Sequence, residues 1–136
     1  MFFFPFADEN PTKKKPIVSW LIIFACSSIF LNQLFDPTYV TEQTFLSFGM
    51  IPAILFGYSE LSEPLKIIPP FLSIFTSMFL HGGWMHIIGN MTYLYIFGDN
   101  IEERLGKLKF IIFYLITGSV AAFSQAIIDP TSTIPM

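Results

Sequence analysis

Two histidines and one asparagine, His81, His86 and Asn90, are gathered in the stretch His81-Gly82-Gly83-Trp84-Met85-His86-Ile87-Ile88-Gly89-Asn90. They are the residues best suited to do chemistry in an otherwise apolar neighbourhood. His86 and Asn90 stand four apart, so on a helix they project from one face, one turn from each other. His81 falls before that helix or in its first turn, near the same end. Imidazole and carboxamide groups inside a membrane span are costly unless they pair or face a wet cavity, and by default they mark a functional site. The plainer reading is interhelical hydrogen-bond glue, worth about 0.6 kcal/mol per group. Residue types alone leave the two readings open.

The elements that must hold these groups follow from composition. The chain has 136 residues, of which 53% are hydrophobic, 18% aromatic and 12% charged. Soluble domains carry roughly 25% charged residues, so this chain cannot solvate a globular surface. Its length allows one domain. No basic stripe suggests a nucleic-acid partner. Cys26 is the single cysteine, which excludes an intrachain disulfide and a thiolate metal site. It is expected to pack as a small hydrophobe.

Three apolar runs are candidate membrane helices: Ile17 to Leu34, His81 to Gly98, and Leu108 to Ile128. Each approaches the roughly 20 residues a helix needs to cross the hydrocarbon core, and a helix satisfies its own backbone. The second run is short and polar, which suits a helix facing other helices rather than lipid. Lys13 to Lys15 before the first run resemble the start of a secretory signal. The apolar run continues past Cys26 to Leu34, however, with no small-residue cleavage pattern, so an uncleaved anchor is expected.

Basic residues orient the spans. Lys13, Lys14 and Lys15 precede the first, and Arg104, Lys107 and Lys109 surround the link between the second and third. The segment between Phe35 and Leu80 has Lys66 alone against Asp36, Glu42, Glu60 and Glu63. The positive-inside rule puts both basic clusters in the cytoplasm. The expected order is a cytoplasmic tail 1–15, a span 16–34, an extracytoplasmic loop 35–80, a span 81–98, a cytoplasmic link 99–107, a span 108–128 and an extracytoplasmic end 129–136. The long loop is rich in aromatics and is broken by Gly49, Pro52, Gly57 and Pro64. Short pieces lying in the membrane interface are expected there. Gly118, Ala122 and Ala126 repeat every four residues in the third run, a pattern that permits close approach.

Sequence order adds a resemblance. Phe75-Thr76-Ser77-Met78-Phe79-Leu80-His81 leads into His86-x-x-x-Asn90, then Phe97-Gly98-Asp99-Asn100-Ile101-Glu102-Glu103-Arg104-Leu105-Gly106. Together with Asp8-Glu9-Asn10-Pro11-Thr12, Phe48-Gly49-Met50-Ile51-Pro52-Ala53 and Asp129 to Met136, this ordered set resembles the rhomboid family of intramembrane serine proteases along essentially the whole chain. The resemblance implies an all-α polytopic membrane protein whose three transmembrane helices form an incomplete rhomboid-like helical bundle. It implies that His86 and Asn90 stabilise the oxyanion of an acyl-transfer intermediate. Preoriented N–H donors in a low-dielectric site do this strongly, and losing one costs about 100-fold or more in rate. His81 matches a loop histidine that structures the site. Glu102 and Arg104 match structural residues at the cytoplasmic boundary, whose plainer reading is a solvated charge cluster.

Departures matter as much. The rhomboid nucleophile is a serine in a Gly-x-Ser-Gly turn of the fourth span, and its base is a histidine of the sixth; this sequence contains neither. The outer-loop Trp-Arg pair common in rhomboids is replaced by Leu72 and Ser73. A nucleophilic serine needs an adjacent base, so the sequence as it stands should not hydrolyse peptide bonds. The expectation is an N-terminal fragment of a serine endopeptidase that cleaves membrane-anchored substrates, ending before the nucleophile and lacking its C-terminal half. Its partners would be the lipid bilayer and transmembrane protein substrates, with no metal or cofactor. Its location would be the cell (inner) membrane, multi-pass, with the N-terminus cytoplasmic. The alternative is a non-catalytic rhomboid-like protein that binds transmembrane segments.

Overall fold

The computed structural model describes residues 12–36 and 38–136, and no strand forms among them. Tail residues 1–11, with the Asp8-Glu9-Asn10-Pro11 stretch, lie outside the described residues. Three long helices carry most of the chain: α1 (Ile17–Phe35), α5 (Trp84–Leu105) and α6 (Lys107–Ile128). Between α1 and α5 come α2 (Thr38–Phe48) and two single-turn helices, α3 (Pro52–Leu55) and α4 (Ser73–Thr76). Short 3-10 turns at Glu63–Leu65, Pro70–Leu72 and Ser77–Phe79 complete the loop. Prolines open several of these pieces, where a missing N–H costs nothing.

Two of the helices, α1 and α6, are long and apolar enough to cross a membrane. Helix α5 meets the same test only together with the helical stretch Pro70–Phe79 before it, which makes up to three spans. The reason lies in its own sequence, which carries Asp99, Glu102, Glu103 and Arg104 toward its end. Apolar side chains such as Leu21, Phe24, Ile116, Val120 and Ile128 stand exposed along α1 and α6. Water would not tolerate so much exposed apolar surface on a small chain, whereas lipid is its natural solvent. The protein is an all-helical membrane protein.

The second long helix differs from the run His81 to Gly98 at both ends. His81, Gly82 and Gly83 precede it, and it continues seven residues past Gly98 to Leu105. The stretch 99–107 is therefore mostly helix, and the turn into α6 narrows to Gly106. Gly106 has φ 79 and donates its N–H to the Glu102 carbonyl at 2.8 Å, closing α5. Only glycine enters that backbone region freely. Helix persists through the charged segment because its carboxylates find partners, as described below.

The described chain divides into two compact units. One holds Met1–Ser28 and His81–Tyr114, hence the first half of α1, all of α5 and the start of α6. Cys26 and Phe110 are fully buried in it, which agrees with the packing role expected for the thiol. The other holds Ile29–Leu80 and Leu115–Met136. There Met50, Ala53 and Ala126 are buried to within 1%. Met50 and Met136 exchange backbone hydrogen bonds at 3.2 and 2.8 Å, and the Ala53 N–H donates to the Ser132 carbonyl at 2.9 Å, so the end of the chain is stitched to the loop. The small-residue stripe of α6 is used by this unit: Gly118 lies under the side chain of Met78. A loop methionine, not a neighbouring helix, fills that notch. Lys66 bridges Glu60 and Glu63 at 3.3 and 2.9 Å, and the hydrogen bonds it donates to Glu63 and Glu60 raise its pKa.

Candidate functional site

The cluster is built at the N-terminal end of α5. His81 arrives in extended chain and is buried to 3% exposure. Gly82 and Gly83 then turn the backbone into the helix, and the Gly83 carbonyl accepts the N–H groups of His86 and Ile87, both at 3.1 Å. These bonds set the first turn and place His86 and Asn90 one turn apart on one face.

The three side chains meet. Asn90 Nδ2 lies 3.3 Å from His81 Nε2, and the rings of His81 and His86 sit 5.0 Å apart at 57°. An amide NH₂ can only donate. The contact ties the Asn90 carboxamide to the buried His81 ring. One N–H of Asn90 faces His81. His86 and Asn90 are exposed, whereas His81 is buried. Every residue the sequence singled out for the site is thus brought together.

Helix α5 has two contrasting faces. His86, Asn90, Tyr93 and Phe97 recur at helical spacing and form an exposed stripe, along which the Tyr93 and Phe97 rings contact at 5.8 Å. Ile87, Gly98 and Glu102 are buried on the other side. The polar pair accordingly stands on the exposed face, in contact with His81.

The buried face contains a carboxylate whose partners the sequence did not reveal. Glu102, 4% exposed, accepts the backbone N–H groups of Val18 and Ser19 at 3.0 and 2.9 Å and the Ser19 hydroxyl at 3.0 Å. It caps the N-terminus of α1 from another helix, satisfying donors that have no intrahelical partner and meeting the positive end of the helix dipole. Glu103 accepts the Lys13 N–H at 3.1 and 3.2 Å, and Asp99 accepts the Thr12 hydroxyl at 3.2 Å. Of the two readings of Glu102, structural residue or solvated charge, its burial with three donors agrees with the structural one. One signal was available, since Glu102 follows Gly98 by four residues and falls opposite His86 and Asn90 on the helix.

Comparison with known proteins places this arrangement. The profile of the family described as Rhomboid domain matches residues 69–136. A chloroplastic rhomboid-like protein 11 of Arabidopsis thaliana is 32% identical over 66 residues, covering 48% of this chain and 24% of that protein. The rhomboid proteases GlpG of Salmonella newport and Salmonella heidelberg are each 24% identical over 125 residues, covering 90% of this chain and 39% of those proteins. The chain therefore spans well under half the length of the curated relatives it matches. No solved structure matches it at a significant level.

Proposed function

The chain belongs to the rhomboid family, and on that premise we propose that it is the oxyanion-binding part of an intramembrane serine endopeptidase. A longer gene product would supply the serine nucleophile and the histidine base. The observation that carries this reading is the His81–Asn90 hydrogen bond at 3.3 Å with His86 alongside. It leaves prepositioned donors on an exposed face of a membrane helix, which is what a developing oxyanion requires.

In this mechanism the serine oxygen attacks the scissile carbonyl of a membrane-anchored substrate while the base takes its proton. The carbonyl electron pair moves onto oxygen, and an N–H of Asn90 and an N–H of His86 receive it. Collapse expels the amine, which takes the proton from the base, and leaves an acyl-enzyme that water hydrolyses. His81 touches no reacting atom in this scheme; it is a positioning residue for Asn90. We place the protein in the cell membrane with its N-terminus cytoplasmic, on the strength of Lys13, Lys14, Lys15, Arg104, Lys107 and Lys109 clustering at one end of the spans. The site then lies toward the outer face.

The test uses the full gene product in proteoliposomes with a fluorogenic single-span substrate and a fluorophosphonate probe for activated serines. Cleavage together with covalent labelling is the expected result, and the absence of both would overturn the proposal. A second reading is favoured by the exposed stripe of His86, Asn90, Tyr93 and Phe97: a non-catalytic protein that receives a transmembrane segment on this face. It predicts capture of the same substrate without labelling.

A further inference from the structure

At the opposite end of α5 from His86, the chain forms an open, charged pocket of about 220 Å³. The ammonium-bearing residues Lys14, Lys15 and Lys107 line it, with Pro16 and Gly106 as backbone floor and the carboxylates Glu102 and Glu103 beside them. Both carboxylates are already engaged, Glu102 with Val18 and Ser19, Glu103 with the Lys13 N–H. The three lysines are exposed, and among the described residues none of them forms an ion pair. Lys13, Arg104 and Lys109 surround the same end of the unit, so cations outnumber the acidic residues Asp99, Glu102 and Glu103 there.

The position of the pocket at the helix ends points to the kind of occupant. Helix α1 begins at Ile17, α5 ends at Leu105 and α6 begins at Lys107, so the cavity opens where apolar helices give way to polar chain. That level is the lipid headgroup region. Basic pockets among membrane helices at this level bind anionic headgroups. We propose that Lys14, Lys15 and Lys107 form a cradle for the phosphate of an anionic phospholipid such as phosphatidylglycerol. A lipid headgroup would cross-link the segment before α1 to the α5–α6 corner, adding to the tie made by Glu102. The inference rests on the chain being a membrane protein and is independent of the protease reading.

The experiment purifies the full gene product in mild detergent, supplies equal amounts of phosphatidylglycerol and phosphatidylcholine, and reads the bound lipids by native mass spectrometry. Each cradle lysine is worth about a fivefold change in affinity for an anionic headgroup. The variant K14Q/K15Q/K107Q should therefore lose most of the preference for phosphatidylglycerol. K14R/K15R/K107R should keep it, which separates lost charge from lost fold. The variant K13Q/R104Q/K109Q removes equal charge outside the cavity and should cost clearly less of the preference, since attraction to one bound phosphate falls with distance and is screened by salt. Equal loss in the two glutamine triples would reduce the cradle to general surface charge and overturn the proposal. Displacement of the lipid by inorganic phosphate at matched concentration would overturn a lipid as the occupant.

Discussion

The carboxylate of Glu102 receives both the backbone N–H and the hydroxyl of Ser19, at 2.9 and 3.0 Å, across a separation of 83 residues. The Val18 N–H adds a third bond to the same carboxylate, at 3.0 Å. The arrangement couples the start of the first span to the end of the second. It predicts that Glu102→Ala, which strands several buried donors, destabilises the protein by about 3 kcal/mol. Glu102→Gln keeps an acceptor and should cost about 1 kcal/mol. Ser19→Ala should matter in the native background and have no further effect once Glu102 is alanine. Thermal unfolding of the full gene product in detergent checks all three, and additive losses would refute the coupling.

Gly98 makes that contact sterically feasible. A Cβ built there would lie 2.9 Å from Ser19 Oγ and 3.0 Å from Leu94 Cδ1. Alanine is the better helix former by about 1 kcal/mol, so propensity alone predicts that Gly98→Ala stabilises. The opposite is expected, because the Ser19 hydroxyl must move off Glu102. Ser19→Ala combined with Gly98→Ala should recover part of the loss. A stabilised Gly98→Ala single variant, read by the same melting experiment, would show that the helices relax apart freely.

The third helix offers a graded test. Met78 covers Gly118, and its thioether end is flexible. Gly118→Ala should cost less than about 1 kcal/mol, since the methionine can swing aside while the helix gains propensity. Gly118→Leu fills the notch altogether and should lower stability by about 1–3 kcal/mol. Pairing it with Met78→Ala should restore most of that loss. Equal melting temperatures for wild type and Gly118→Leu would mean that the notch is not packed in the membrane.

Much of this was legible from residue spacing. Long apolar runs announced α1 and α6 because no charge interrupts them beyond the lysines that open α6, and the interval between His86 and Asn90 placed both on one helical face. The ends of α5 were less legible, for two physical reasons. Gly82 and Gly83 delay its start past His81, and hydrogen bonds to Asp99, Glu102 and Glu103 keep it helical where charge density suggested a link. Tertiary partners of a carboxylate cannot be read from its neighbours in sequence. The same holds for Gly118, whose small-residue spacing announced close approach without disclosing that a loop methionine would fill it.

The division of labour between His81 and Asn90 gives the most discriminating prediction about the site. If Asn90 donates to the oxyanion, then Asn90→Ala should lower kcat of the full gene product by about 100-fold with little change in KM. His81 acts only by holding that amide, so His81→Ala should cost less, about 10-fold. It should cost almost nothing more once Asn90 is alanine, because there is then no amide left to hold. His86→Ala removes a separate donor and should lower kcat in either background, so the double variant His86→Ala with Asn90→Ala should fall below each single one. Melting temperatures of the His86 and Asn90 variants should stay close to wild type, since both side chains stand exposed in their unit. Steady-state cleavage of a single-span substrate across this set of variants decides the matter. Additive losses for His81 and Asn90 would give His81 a direct role in the reaction, and full activity in the His86–Asn90 double variant would remove the oxyanion assignment from both.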